Sequence, residues 1–217
     1  MQRAKSSIPD KFILVNRFIA TPYFKTWLGF ISICILLSML PAFFMVIEKR
    51  QGILLHDFIL NALPAHNVSS AIFLLIWGMG LLMFYRAIQN PALFPVYIWA
   101  YLFVCLCRVI AITIVPLAPP LGLIPLKDPL TGIFYGERII TKDLFYSGHT
   151  ATLFLIFLAL ERKWDKIIAL IALILLIVLL LIQHVHYTID IIGALIIVFL
   201  LYRFTLRFLK IFDHSAK

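Results

Sequence analysis

The chain has 217 residues, of which 63% are hydrophobic and 13% are charged, and its mean hydropathy is +1.04. Soluble domains are close to half apolar and a quarter charged, so these values exclude an ordinary soluble domain and indicate an integral membrane protein. The net charge of +9 does not require a nucleic-acid partner, because the basic residues flank the apolar runs.

Six apolar runs predict an all-α, polytopic membrane helical bundle with six transmembrane helices. Their approximate limits are residues 27–47, 70–85, 92–115, 145–160, 167–183 and 187–202. Residues 51–69 are too polar to span and are expected to form an amphipathic loop or a half-helix. The longest loop, residues 116–147, begins with a proline cluster that ends the third helix.

The chain is expected to form one membrane domain with short flanking segments. Residues 1–26 combine basic and large apolar residues, which predicts a basic interfacial segment. Residues 27–205 form the predicted six-span domain, and residues 206–217 form a predicted cytoplasmic tail.

The distribution of lysine and arginine predicts the orientation of the bundle. Thirteen of these residues fall on the face that holds both termini, five fall on the other face, and Arg108 lies within a span. The positive-inside rule therefore predicts that both termini are cytoplasmic. His149 and His186 then lie together at the extracytoplasmic face.

His186 and Asp190 are the strongest candidates for catalysis. In a helix from Tyr187 onward, they are four residues apart and face the same side. The carboxylate can then accept a hydrogen bond from one imidazole nitrogen and leave the other as base or nucleophile. Ionisable groups between apolar runs are costly, which favours a functional role. His184 is off this face and is expected to point towards headgroups.

The sequence Ser-Gly-His-Thr at 147–150 opens the fourth predicted span. Ser147 can cap the helix, and Gly148 permits close approach of a ligand. The helix N-terminus favours an anion such as phosphate, and His149 could protonate a leaving oxygen. A simple helix cap beside an incidental histidine explains the same residues equally well.

Arg108 and Asp143 have two interpretations each. A buried guanidinium seeks a phosphate ligand or a structural partner, with Asp57 and Asp143 as the candidates. Asp143 could orient His149, meet a cationic headgroup, or be an ordinary loop carboxylate. A metal site is not favoured, because His184 and His186 diverge on a helix, and the three cysteines lie in apolar runs as packing residues.

The histidine motifs resemble those of the sphingomyelin synthases, a branch of the wider type 2 phosphatidic acid phosphatase superfamily. Residues 147–150, preceded by Asp143, resemble the third signature motif, and His-Tyr-Thr-Ile-Asp at 186–190 resembles the fourth. Arg108, with the threonine and prolines that follow it, resembles the second motif, and residues 55–64, which include Asp57, resemble the first.

Three positions depart from the patterns of these families. Thr141 and Lys142 stand where the synthases have cysteine and glycine, and Tyr146 stands where the phosphatases have proline. The phosphatases also carry a basic motif that is not evident here. The two departures from the phosphatase pattern, Tyr146 and the missing basic motif, favour the synthase branch over the phosphatases.

The resemblance implies a phosphohistidine mechanism, and no cofactor is expected. His186 would be the nucleophile, Asp190 would orient it, and His149 would act as acid and then as base. Arg108, Asp143, Ser147, Gly148 and Asp57 are the expected substrate-binding residues.

Transfer of a lipid phosphoryl headgroup to a lipid hydroxyl is the leading functional hypothesis. Hydrolysis of a lipid phosphate by water is the first alternative, and a non-catalytic lipid binder or transporter is the second. The expected partners are membrane lipids, and the expected location is a bacterial inner membrane with the site on its extracytoplasmic face.

Overall fold

The computed structural model describes residues 22–126 and 140–214, and the structural statements that follow concern these residues. Their regular structure is helical, apart from one isolated parallel bridge between Ile53 and Leu117. The helices are α1 (Pro22–Lys49), α2 (Phe58–Ala62), α3 (Ser69–Gln89), α4 (Leu93–Ile114), α5 (Gly148–Ala159), α6 (Lys163–Ile182) and α7 (Thr188–His214). The predicted all-α class is confirmed for this part of the chain.

Five of the helices, α1, α3, α4, α6 and α7, are long and apolar enough to cross a membrane. At about 1.5 Å per residue, α3 extends about 31 Å, close to the thickness of the hydrocarbon core. α5 is apolar but has only 12 residues, so it extends only about 18 Å. The structure therefore supports five spans by length and leaves the sixth, expected at 145–160, as a proposal.

Several boundaries differ from the predicted ones. α1 begins at Pro22, inside the expected interfacial segment, where a proline suits the first helical position; residues 1–21 of that segment lie outside the described residues. α7 continues to His214, into the stretch expected as a tail, because Arg207 and Lys210 have long unbranched side chains that are good helix formers. Of the two expectations for 51–69, the half-helix is observed as α2, and a short turn joins α3 to α4.

Two polar contacts fix α3 and α6 as antiparallel neighbours. At one end, the Gln183 Nε2 group donates a 2.8 Å hydrogen bond to the Ser69 hydroxyl. At the other, Arg86 and Asp165 form an ion pair of 2.7 Å between Nε and Oδ2. The end that contains Gln183 also holds the N-termini of α5 and α7 and the C-termini of α1 and α4; we call it the histidine end.

α5 is the most enclosed helix and packs against α3, α4, α6 and α7. Its core residues Leu153, Leu155 and Ile156 are almost completely buried. α1 packs mainly on α4 and leaves much of its apolar surface exposed, as expected for a helix that faces lipid. α5 is therefore surrounded by other helices on several sides.

α5 begins below the rim of the histidine end. Its first residue, Gly148, lies against Arg108, which is six residues, or about 9 Å, before the end of α4. The preceding non-helical segment therefore descends into the bundle, where its backbone groups need protein partners. The Tyr146 carbonyl accepts from Arg108 Nε at 3.0 Å, and the Ser147 N–H donates to the Asp190 carbonyl at 3.2 Å. This descent explains why α5 is shorter than the span expected from hydropathy.

Candidate active site

His186 lies just before α7, and its side chain is directed at the first turn of that helix. The Nδ1 atom is 3.3 Å from Oδ2 of Asp190. The same oxygen accepts a 3.1 Å hydrogen bond from the Tyr187 N–H, which fixes the carboxylate against the backbone. His186 is 1% exposed and Asp190 is 0% exposed. When Nδ1–H donates to Asp190, Nε2 carries the lone pair.

His149 lies in the first turn of α5, which begins at about the same depth in the bundle as α7. Its ring centroid is 6.2 Å from that of His186, with 59° between the ring planes. The Ser147 N–H bond to the Asp190 carbonyl joins the two helix starts directly. The structure therefore brings together two imidazoles and one carboxylate that are separated by about forty positions in the chain. At this separation, one reacting group could contact both rings.

Ser147 caps α5, as its position in the sequence predicts. Its hydroxyl oxygen accepts a 3.3 Å hydrogen bond from the Thr150 N–H, and both side chains are fully buried. An N-cap serine satisfies one of the backbone donors that a helix start leaves without an intrahelical partner. The cap fixes the first turn of α5 and with it the backbone of His149.

Arg108 reaches from α4 across the start of α5. It donates from Nη2 to Asp143 Oδ1 at 2.5 Å and from Nε to the Tyr146 carbonyl. The sequence leaves Asp57 and Asp143 as alternative partners, and the structure selects Asp143. The Arg108 and Asp143 side chains are 16% and 26% exposed, so the pair is partly accessible.

Gly148 is required by the position of this guanidinium. A Cβ atom at residue 148 would lie 2.5 Å from Arg108 Cζ, 2.7 Å from Nη1 and 2.8 Å from Nη2. Carbon atoms in ordinary contact are about 3.5–4.0 Å apart, so an alanine would displace the guanidinium. The sequence predicts close approach to Gly148 by a ligand; in the structure the approaching group is Arg108.

Asp57 joins the start of α2 to the start of α7. It accepts hydrogen bonds from the Ile59 and Leu60 N–H groups through Oδ1, as the N-cap of α2. It also accepts from the Thr188 N–H at 2.6 Å and from the Thr188 hydroxyl at 3.1 Å. Burial raises the pKa of Asp57, but the hydrogen bonds, led by the Thr188 N–H, outweigh it and lower the pKa below its ordinary value.

His184 does not point towards headgroups, and that expectation is wrong. Its Nδ1 lies 2.9 Å from the Leu121 carbonyl and its Nε2 lies 3.1 Å from the Leu63 carbonyl, and the residue is 7% exposed. Its φ of 55° places the backbone in the left-handed region, where the chain reverses after α6. The reversal turns the ring inward, so that it lies between two loops of the histidine end and can donate a hydrogen bond to a carbonyl of one of them.

Two further contacts at the site were not predicted from the sequence. The Glu48 carboxylate, at the end of α1, accepts hydrogen bonds from Thr141 and Lys142, just before Asp143. The Phe73 ring of α3 meets the His149 ring edge-on, with centroids 6.3 Å apart. Glu48 resembles an ordinary charged residue at a span end, and Phe73 resembles an ordinary lipid-facing residue. No periodicity distinguishes either residue.

The residues described by the structure contain no group of three or more His, Cys, Asp or Glu side chains arranged to hold a metal ion. Cys34, Cys105 and Cys107 are free thiols that form no disulfide.

Residues 142–207 match the family model described as PAP2 superfamily C-terminal. The matched segment is nearly a third of the chain and includes α5, α6, most of α7, and the residues His149, His186 and Asp190. It supports a relationship to the type 2 phosphatidic acid phosphatase superfamily and lipid phosphatase or phosphotransferase activity. Arg108 and Asp57 lie outside the match. A search of curated proteins found no match.

Proposed function

We propose that this protein is an integral membrane enzyme that transfers a phosphoryl headgroup from a lipid to a lipid hydroxyl through a phosphohistidine. One observation carries the proposal: the His149 and His186 rings are 6.2 Å apart, with Asp190 hydrogen-bonded to His186. The match to the PAP2 superfamily over the segment that contains all three residues supports it.

In the first step, Nε2 of His186 attacks phosphorus and forms a P–N bond. The P–O bond to the lipid alcohol breaks, its electron pair stays on the leaving oxygen, and His149 donates a proton to that oxygen. Asp190 accepts the Nδ1–H bond of His186. It thereby holds the nucleophilic tautomer and stabilises the positive charge that develops on the ring.

In the second step, His149 removes the proton from the acceptor hydroxyl. The acceptor oxygen attacks phosphorus, the P–N bond breaks, and its electron pair returns to Nε2 of His186. His149 gains the proton that it lost in the first step, so both histidines end as they began.

Arg108 and the first turn of α5 are assigned to the phosphoryl oxygens. Arg108 lies against Gly148 at this turn, where the positive end of the helix dipole also favours an anion. Asp143 holds Arg108, and Ser147 holds the helix start. The oxygens of Asp57 are occupied by two helix starts, so we assign it to positioning α7 and not to headgroup contact.

The lipid acceptor is preferred over water on the motif resemblance, because Tyr146 stands where the phosphatases have proline. His186 is 1% exposed, so either acceptor must enter the bundle to reach it. A lipid phosphate phosphatase is the second candidate, because the matched superfamily includes phosphatases. The two candidates share the first step and differ only in the acceptor.

We further propose that α5 and the descending segment before it form a sixth crossing, with both termini cytoplasmic. The alternation of helix directions, with α5 antiparallel to α6, supports this topology. Gln51→Cys, at the histidine end, should react with an impermeant thiol reagent from outside intact cells, and Gln89→Cys, at the other end, should not. Equal labelling of the two positions would refute the topology.

The function is tested with purified protein, labelled phospholipids and a lipid acceptor. The wild type should form an acid-labile phosphoenzyme and a new phospholipid, and His186→Ala should form neither. His149→Ala should slow both steps, whereas His66→Ala, which removes an exposed histidine, should leave the rates unchanged.

Two other outcomes of this experiment would each indicate a different function. Release of inorganic phosphate or a free phosphorylated headgroup without a lipid product would select the phosphatase. Lipid binding that survives loss of His149, His186 and Asp190, without turnover in the wild type, would indicate a binder or transporter.

A further inference from the structure

The loop that carries Asp143 is fastened to the end of α1 by one carboxylate. Glu48 Oε2 accepts from the Thr141 N–H at 3.0 Å and from the Lys142 N–H at 3.1 Å. Glu48 Oε1 accepts from the Thr141 hydroxyl at 2.6 Å. Three donors from two adjacent residues therefore converge on one side chain that is 93 positions away in sequence.

Lys142 makes a second contact between this loop and the end of α1, and here the loop supplies the side chain. Its ammonium group donates to the backbone carbonyls of Glu48 and Arg50, at 2.7 Å and 2.5 Å. These carbonyls lie at the C-terminus of α1, where the helix dipole favours a positive charge. Thr141 and Lys142 are the two positions that depart from the synthase pattern, so the contact between the loop and α1 involves residues that differ from that pattern.

We propose that Glu48 is a positioning residue for the headgroup subsite, acting through Asp143 on Arg108. Asp143 directly follows the two residues that Glu48 holds, and its carboxylate in turn holds Arg108 against Gly148. The Glu48 carboxylate accepts hydrogen bonds from Thr141 and Lys142, and neither residue is assigned to the chemistry. The inference rests on the proposed function, in which Arg108 contacts the phosphoryl oxygens.

The bonding pattern predicts which substitution of Glu48 is tolerated. In Glu48→Gln, the amide oxygen can occupy the Oε2 position and accept from both N–H groups, while the amide nitrogen donates to the Thr141 hydroxyl. Glu48→Ala removes all three bonds. If Glu48 acts by position, glutamine should preserve function and alanine should not.

The kinetic test compares these variants with two controls. Glu48→Ala should raise both KM for the lipid phosphate and the inhibition constant of orthovanadate about tenfold, with kcat within about threefold, because His186 and Asp190 are untouched. Glu48→Gln should stay within about twofold of the wild type in all three. Lys49→Ala, the exposed neighbour, and Asp165→Asn, which weakens an ion pair at the opposite end, should leave KM unchanged.

A second measurement does not depend on activity. Hydrogen exchange at the Thr141 and Lys142 amides should be at least about tenfold faster in Glu48→Ala than in the wild type or Glu48→Gln. If the wild type has no phosphoryl activity, the proposed function fails, and the exchange data alone decide whether Glu48 holds the loop. If the wild type is active, unchanged KM in Glu48→Ala overturns the inference, even where the amides exchange faster.

Discussion

Gly148→Ala is the sharpest test of the arrangement at the start of α5. The new Cβ would lie 2.5 Å from Arg108 Cζ, and relief to ordinary contact requires a shift of about 1 Å. The bond from Arg108 Nε to the Tyr146 carbonyl, now 3.0 Å, would then exceed hydrogen-bonding distance. Hydrogen bonds to charged groups contribute about 1.5–3 kcal/mol, so we expect about a 10- to 150-fold loss of kcat/KM.

The control for this substitution lies in α3. Gly80 has no neighbouring atom within 4 Å of the Cβ position, so Gly80→Ala adds only helix propensity, about 0.5–1 kcal/mol of stability. The assay measures product formation and thermal unfolding in detergent for both variants and for Arg108→Ala with and without Gly148→Ala. If Gly148→Ala acts through Arg108, it should cost little more in the Arg108→Ala background. Wild-type kinetics in Gly148→Ala, or an equal loss in Gly80→Ala, would refute the reasoning.

Three further predictions follow from individual contacts. Asp190→Asn leaves an acceptor for the Tyr187 N–H but no carboxylate for His186, so phosphoenzyme formation, measured by quenched flow, should slow about 10²–10⁴-fold. The lowered pKa of Asp57 means that its stabilising effect is complete above its unfolded pKa of about 3.9 and is lost as the pH falls through the folded value. Thermal midpoints should therefore depend less on pH below about 4 in Asp57→Asn than in the wild type. His184→Ala removes two contacts to carbonyls and should lower the free energy of unfolding by about 1–3 kcal/mol, measured by denaturant titration. A loss near zero would mean that the ring does not stabilise the loops.

The sequence predicts the helices well where a single physical signal dominates. Long apolar runs mark five spans, and the spacing of His186 and Asp190 correctly predicts that the two side chains meet at the start of a helix. Both inferences depend only on neighbours in the chain, whose geometry a helix fixes. α5 begins three residues later than hydropathy predicts, because hydropathy does not distinguish an apolar helix from an apolar segment that descends in non-helical form.

Contacts between distant segments could not be predicted in the same way. The sequence offers two aspartates to Arg108 and no reason to choose Asp143 over Asp57, since the choice depends on which loop folds back over α4. The inward turn of His184 depends on a left-handed backbone at a residue that is not glycine. The contact of Glu48 with the loop before α5 is evident only in the folded structure, where the end of α1 lies beside that loop.

Arg108 is already paired with Asp143. A phosphoryl group that binds Arg108 must therefore compete with the Asp143 carboxylate for the guanidinium. In Asp143→Asn, the amide oxygen can still accept from Arg108 Nη2, so the guanidinium keeps its position but loses its compensating charge. We expect orthovanadate to bind about tenfold more tightly to this variant, and kcat to fall if release of the phosphorylated product limits turnover. Asp143→Ala, which also removes the acceptor, should instead weaken orthovanadate binding. If both variants weaken it equally, Asp143 serves only to hold Arg108 in place, and the charge of the pair has no part in setting phosphate affinity.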